Sequence, residues 1–112
     1  MNNSQFGFKE GDLELILKLF TTFPAVEKGI IFGSRAKGNY QQGSDVDIAI
    51  VSNDKLLARE INSLLNEECP IPYTFDVIDF NTITHKDLKD QIEQTGIVIF
   101  DRKEQIFNEL SL

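Results

Sequence analysis

The sequence predicts an α/β (α+β) fold, a sheet of three or four strands with helices packed against it. Short β-branched and aromatic runs alternate with segments whose apolar residues recur every three or four positions. Their order is helix, strand, loop, strand, helix, strand, helix, strand. At 112 residues, 41% hydrophobic and 26% charged, the chain suits one domain with a single layered core. That core is expected from about residue 12 to residue 101 of the single domain 1–112, with flexible segments at both ends.

The first helix is expected over Asp12–Phe23, where Leu13, Ile16, Leu17 and Phe20 fall on one face and Pro24 ends the run. "KGIIFG" (Lys28–Gly33) reads as a buried strand closed by glycine, and "DVDIAIV" (Asp45–Val51) as a second. Between them, Gly33–Ser44 holds three glycines and no apolar stripe. Loops of that length are usually functional or disordered. "DKLLAREINSLLNEE" gives Leu57, Ile61, Leu64 and Leu65, an amphipathic helix that must stop before Pro70 and Pro72. "YTFDVIDF" (Tyr73–Phe80) is the third strand. Thr84 with Asp87 has the form of a capping box, and Ile83 with Leu88 that of a hydrophobic staple. The helix they open should reach Gln94 or Thr95, with Gly96 as its stop. "IVIF" (Ile97–Phe100) is a short fourth strand and "KEQIFNELSL" a marginal terminal helix.

Composition narrows the function classes. No apolar run is long enough to span a bilayer, and "MNNSQFGFKEGD" lacks the regions of a secretory signal. The lone Cys69 precludes an internal disulfide and fits a reducing cytoplasm. A net charge of -7 disfavours direct nucleic-acid binding, because phosphate neutralisation supplies most non-specific affinity. Acidic pockets can still hold polyphosphates through bridging metal ions.

The chemistry concentrates in "GSRAKGNYQQGSDVDIAI", Gly33 to Ile50. Residues two apart in a strand share a face, so Asp45 and Asp47 lie together, their Cα atoms roughly 6.5 Å apart. Val46, Ile48 and Ile50 take the opposite face and can bury. Adjacent carboxylates repel unless a cation sits between them, and Mg²⁺ is the usual cation for an all-oxygen site with phosphates. Asp76 interrupts an otherwise apolar third strand. Beside the second strand, it would complete a set of three acids able to hold two metal ions for in-line displacement. Taken singly, each acid also has a bland reading: Asp45 as a turn residue, Asp47 as a lysine's partner. Asp79 falls on the other face and reads as a strand-end surface residue.

Gly33 permits a tight turn and a close ligand approach, and Ser34 offers a hydroxyl and the N–H groups of a helix start. Arg35 and Lys37 are candidate triphosphate contacts or plain surface charges, and Ser44 is a further candidate phosphate-binding residue. Gly33 and Gly38 have P-loop spacing, but Asn39-Tyr40 replace the lysine and hydroxyl. No dinucleotide fingerprint is present, and an EF-hand reading fails at Ala49.

Gly33-Ser34, ten residues, Asp45-x-Asp47 and then Asp76 resembles the G-S-x10-D-x-D signature of the DNA polymerase β-type nucleotidyltransferase superfamily. Size and element order look most like its minimal nucleotidyltransferase (MNT) branch, over roughly Leu13 to Phe100. The resemblance implies a mixed sheet flanked by helices, ATP as substrate and two Mg²⁺ ions held by Asp45, Asp47 and Asp76. Gly33 and Ser34 match the pair that holds the triphosphate, and Asp76 matches the acid that helps activate the attacking hydroxyl. The implied reaction moves AMP to an acceptor hydroxyl and releases pyrophosphate. The branch also implies an adjacent all-helical HEPN partner. There the small enzyme is the antitoxin of a type VII toxin–antitoxin system, adding AMP to a tyrosine of its toxin. A two-component transferase subunit acting on a small molecule, and a non-catalytic antitoxin that binds nucleotide or partner, are the alternatives. Homo- or hetero-oligomerisation stays open.

The single histidine, His85, reads as solvated or capping, and Cys69 as a small buried hydrophobe. Phe6, Phe8, Phe107 and Leu110, near the chain ends, are expected to face a partner.

Overall fold

A computed structural model describes residues 5–103. Helix α1 spans Asp12–Thr21, with Asp12 and Glu14 in its first turn and Lys18 in its last, as the helix dipole favours. Ile16 and Phe20, one turn apart, are fully buried. The helix stops short of the expected Phe23 because Pro24 disfavours helical geometry in the residue before it. Strands β1 (Lys28–Phe32), β2 (Val46–Val51), β3 (Phe75–Asp79) and β4 (Ile97–Asp101) form one sheet in the order β3-β2-β1-β4. β1 is antiparallel to β2 and β4, whereas β2 and β3 are parallel. The sheet is therefore mixed, with all four strands present.

A parallel pair requires the chain to leave the sheet and return, usually through a helix. Helix α3 (Leu57–Ser63) makes that crossover and runs on through one wider, π-helical turn, Leu64–Glu68. A short α2 (Ser34–Lys37) interrupts the loop expected over Gly33–Ser44. A 3-10 turn (Phe80–Thr82) and α4 (Lys86–Thr95) link β3 to β4.

Alternation along β2 divides the core. Val46, Ile48 and Ile50 have no exposure and pack with Ile16, Phe20, Ile61 and Leu65. On the other face, Phe32 and Ala49 meet Ile92 of α4 in a much smaller cluster. Each fully buried Ile or Phe contributes roughly 1.5–3 kcal/mol, so the face toward α1 and α3 supplies most of the apolar stabilisation. The lightly packed α4 face is the one Asp47 shares.

The outer edge of β3 is closed by side chains. Asn66 accepts the Phe75 N–H at Oδ1 (2.8 Å) and donates from Nδ2 to the Phe75 carbonyl (2.9 Å). Asn62 accepts the Val77 N–H (2.9 Å). Two asparagines thus do the work of a fifth strand on either side of Asp76.

Several expectations are corrected. Phe6 and Phe8 are not left for a partner: both join the larger core, and Phe8 packs a ring 5.1 Å from Tyr73. They cover an end of the core that α1 alone does not reach. Asp79 is on the predicted face but is 8% exposed rather than at the surface. Its Oδ1 accepts the Asn81 N–H (2.9 Å), and Oδ2 has no hydrogen-bond partner among the described residues. The Thr84–Asp87 box does not form. His85 occupies the N-cap position without a side-chain cap bond, so α4 starts one residue later than that motif requires. Ile83 and Leu88 both pack on the smaller cluster. Cys69 lies partly buried at the edge of the larger cluster, and burial pushes its thiol pKa up. Phe107, Leu110 and most of the expected terminal helix lie outside the described residues.

Gly29 shows how tightly α1 sits on the sheet, since a Cβ there would come within 2.7 Å of the Phe20 ring. Gly29→Ala is expected to destabilise the fold by about 1–3 kcal/mol, the usual cost of overpacking. Urea denaturation measures the change, and Phe20→Leu in the same chain should recover part of it. An unchanged midpoint in the single variant would contradict the contact.

Candidate active site

The site is built where β1 ends and β2 begins. Gly33 leaves β1 with φ 76° and ψ -155°, a conformation that L side chains rarely adopt. A Cβ at this position would lie 2.5 Å from Oδ2 of Asp47. The turn therefore passes directly against that carboxylate, and only glycine fits. Ser34 follows as the first residue of α2, half-buried, at a helix start whose N–H groups have no partners within the helix.

Strand register brings the acids together. Asp47 pairs with Phe32 across the antiparallel β1–β2 ladder and with Asp76 across the parallel β2–β3 ladder. Neighbouring strands lie about 4.8 Å apart, so these two carboxylates leave the sheet side by side. Asp45 stands one residue before β2; it and Asp76 are exposed, whereas Asp47 is half-buried. Burial raises the pKa of Asp47 above its ordinary 3.8, and the charges of Asp76 and then Asp45 raise it further. Both neighbouring acids therefore act on Asp47.

Among the described residues, no three His, Cys, Asp or Glu side chains are gathered into a ready metal cage. The donor set nevertheless fits a hard divalent cation. All the ligands on offer are carboxylate oxygens, two of them face each other in register, and their mutual repulsion is what a cation would relieve. Asp45, Asp47 and Asp76 are the residues that could hold it.

Three other candidates are placed differently. Arg35 is 4% exposed, and its guanidinium is committed to main-chain carbonyls instead of being offered to a phosphate. Lys37 is exposed in the last turn of α2. Ser44 accepts the Gln41 N–H at its hydroxyl (2.9 Å), and its carbonyl receives Arg35. Sequence reasoning missed Asn62 and Asn66, which hold the residues flanking Asp76. Their only local signal is a four-residue spacing on one helix face, which ordinary surface asparagines share.

The family model for Polymerase beta, Nucleotidyltransferase, matches residues 14–105, a span that takes in every residue of this site. The chain belongs to the Polymerase beta nucleotidyltransferase family. A curated relative, the Probable protein adenylyltransferase MntA of Haemophilus influenzae, is 34% identical over 77 residues, 67% of each chain. Among solved structures, a toxin–antitoxin with AMP-PNP superposes with a TM-score of 0.67 at 22% identity, over 86% of this chain and 80% of that one. A tri-AMPylated Shewanella oneidensis HEPN toxin in complex with an MNT antitoxin matches at 0.50 and 19% identity, over 85% and 79%. These two likenesses establish the common nucleotidyltransferase fold.

No helix among the described residues is long and apolar enough to cross a membrane.

Because the folded-state pKa of Asp47 is raised, the folded chain holds this proton more readily than the unfolded chain. Asp47 therefore favours folding most at low pH, and the advantage is lost as pH rises through the folded-state value. Asp47→Asn is expected to melt above the wild type at pH 7 in EDTA, with the difference closing below about pH 4. Scanning calorimetry across that range tests this, and a variant melting lower at pH 7 would overturn the charge account.

Proposed function

We propose that this chain is a Mg²⁺-dependent adenylyltransferase that moves AMP from ATP to a tyrosine hydroxyl of a HEPN toxin partner, acting as its antitoxin. One observation carries the reading: Asp47 stands in register with Asp76 on one side and against the Gly33 turn on the other. Acids for a cation and a backbone turn for phosphates are thus immediate neighbours. The MntA name of the Haemophilus influenzae relative and the AMP-PNP and AMPylated-toxin complexes support the donor and the partner class.

Asp45, Asp47 and Asp76 would hold the ions. When bound, Mg²⁺ lowers the pKa of a hydroxyl and neutralises charge on the leaving phosphates. Gly33 and Ser34 bind the β- and γ-phosphates through backbone N–H groups and the serine hydroxyl. Asp76, exposed on the edge strand β3, receives the acceptor's proton as general base. The acceptor oxygen bonds to the α-phosphorus, the bond from that phosphorus to the bridging oxygen breaks, and pyrophosphate leaves with the electron pair. Burial, Asp76 and Asp45 all disfavour the ionised form of Asp47 and a bound cation offsets this, so ion and nucleotide binding should be mutually dependent.

Incubation with α-labelled ATP, Mg²⁺ and a HEPN protein encoded beside this chain is expected to place label on a tyrosine of that protein. Asp76→Asn should slow transfer about 10²–10⁴-fold, the usual loss of a general base, and Asp45→Asn with Asp47→Asn should abolish it. EDTA should do the same. Label on a small acceptor instead, or transfer that survives the double substitution, would refute the assignment.

A further inference from the structure

The phosphate-binding turn and the acids lie on different segments, and something must fix the distance between them. Helix α2 is only four residues long, too short to hold its own shape. The segment after it contains Gly38 and Gly43, both with positive φ. Neither element sets the spacing unaided.

Arg35 ties them together. Its Nε and Nη2 both donate to the Ser44 carbonyl, at 3.0 and 2.7 Å, and Nη1 donates to the Phe6 carbonyl at 2.7 Å. Its guanidinium lies 5.3 Å from the ring centre of Tyr73, 5.4 Å from that of Tyr40 and 5.8 Å from that of Phe8. Ser34 immediately precedes this arginine, and Asp45 immediately follows its acceptor Ser44. Beyond Asp45, the Val46 N–H donates to the Thr74 carbonyl (2.8 Å), two residues before Asp76. A single side chain therefore links the position next to Ser34 with the residue next to the first acid. Gly7 leaves the space this needs, since a Cβ there would come within 2.7 Å of both Nη1 and the Tyr40 ring.

The energetics argue against a role in stability alone. Among the described residues no carboxylate forms an ion pair with Arg35, and a buried cation is often no more stabilising than a hydrophobe of the same volume. What arginine adds is geometry: a flat fork that donates twice to one carbonyl while its faces stack, which a lysine cannot reproduce.

Resting on the transfer site described above, we propose that Arg35 is a positioning residue that sets the offset between the Gly33–Ser34 turn and the Asp45–Asp47–Asp76 cluster. It touches neither substrate nor ion. It keeps the ligands of both at a fixed separation, and misplacement of about 1 Å in such a site costs on the order of 10²-fold in rate.

Arg35→Lys tests this, with Tyr40→Leu as a second variant that removes one stacking ring and leaves the three hydrogen bonds. In the protein without nucleotide, amide hydrogen exchange over residues 41–46 should accelerate about tenfold in Arg35→Lys while β1 and α4 keep their protection. Calorimetric titration should show the Mg²⁺ concentration for half-maximal binding of a non-hydrolysable ATP analogue rising about tenfold. In turnover, kcat should fall about 10²-fold with the KM for the protein acceptor unchanged, and Tyr40→Leu should move the same quantities less far. Unchanged exchange over 41–46, or a loss of activity that follows the thermal midpoint with the Mg²⁺ requirement of the folded protein unaltered, would overturn the proposal. If the wild type transfers no AMP, the functional reading fails, and the exchange and titration results still decide the role of Arg35.

Discussion

Two carboxylates stand side by side because β2 and β3 run parallel with Asp47 opposite Asp76. Most of the molecule can be traced to that pairing. A parallel neighbour cannot be reached by a tight turn, so the chain must climb over the sheet through α3 and return. That crossover buries Leu57, Ile61 and Leu65 against Val46, Ile48 and Ile50, which makes one face of the sheet the dominant core. The acids occupy the other face of the same strands. Period-two alternation thus lets a single strand carry structural and chemical residues without either displacing the other.

The division has an energetic consequence. Burial and two like charges act on Asp47 together, so the site opposes the fold that holds it. The opposition is tolerated because the stabilising contacts lie across the sheet, where Ile16, Phe20, Val46, Ile48, Ile50 and Ile61 have no exposure. Functional strain and structural support are separated by the thickness of one strand.

Local periodicity made α1, α3, α4 and the four strands legible, together with the placing of Asp47 on the face opposite Val46, Ile48 and Ile50. These depend on residues a few positions apart, where side-chain direction is dictated by backbone geometry. That β3 lies beside β2 rather than elsewhere is a long-range fact, and Asp76 could be included only conditionally or through the family resemblance. The fate of Arg35 was illegible for a related reason. Its position next to Ser34 suggested a phosphate contact, but its partners are main-chain carbonyls of Phe6 and Ser44, 29 and 9 residues away. Carbonyls carry no residue identity, so no pattern of side chains announces them. Phe6 and Phe8 misled through their place near the chain end, although the core accepts apolar side chains from any segment able to reach it. Asp79 misled in the opposite sense, because a charged residue at a strand end is ordinarily solvated.

The asparagine bracket on β3 bears on what can pair with this edge of the sheet. An exposed edge strand is a template on which any extended polypeptide can lengthen the sheet. Here the outward-facing groups of Phe75 and the N–H of Val77 are already occupied by Asn66 and Asn62. A polypeptide arriving beside Asp76 finds these three main-chain groups already taken. Strand addition is closed off there, so side-chain and surface contacts are what this part of the edge offers to a neighbouring polypeptide.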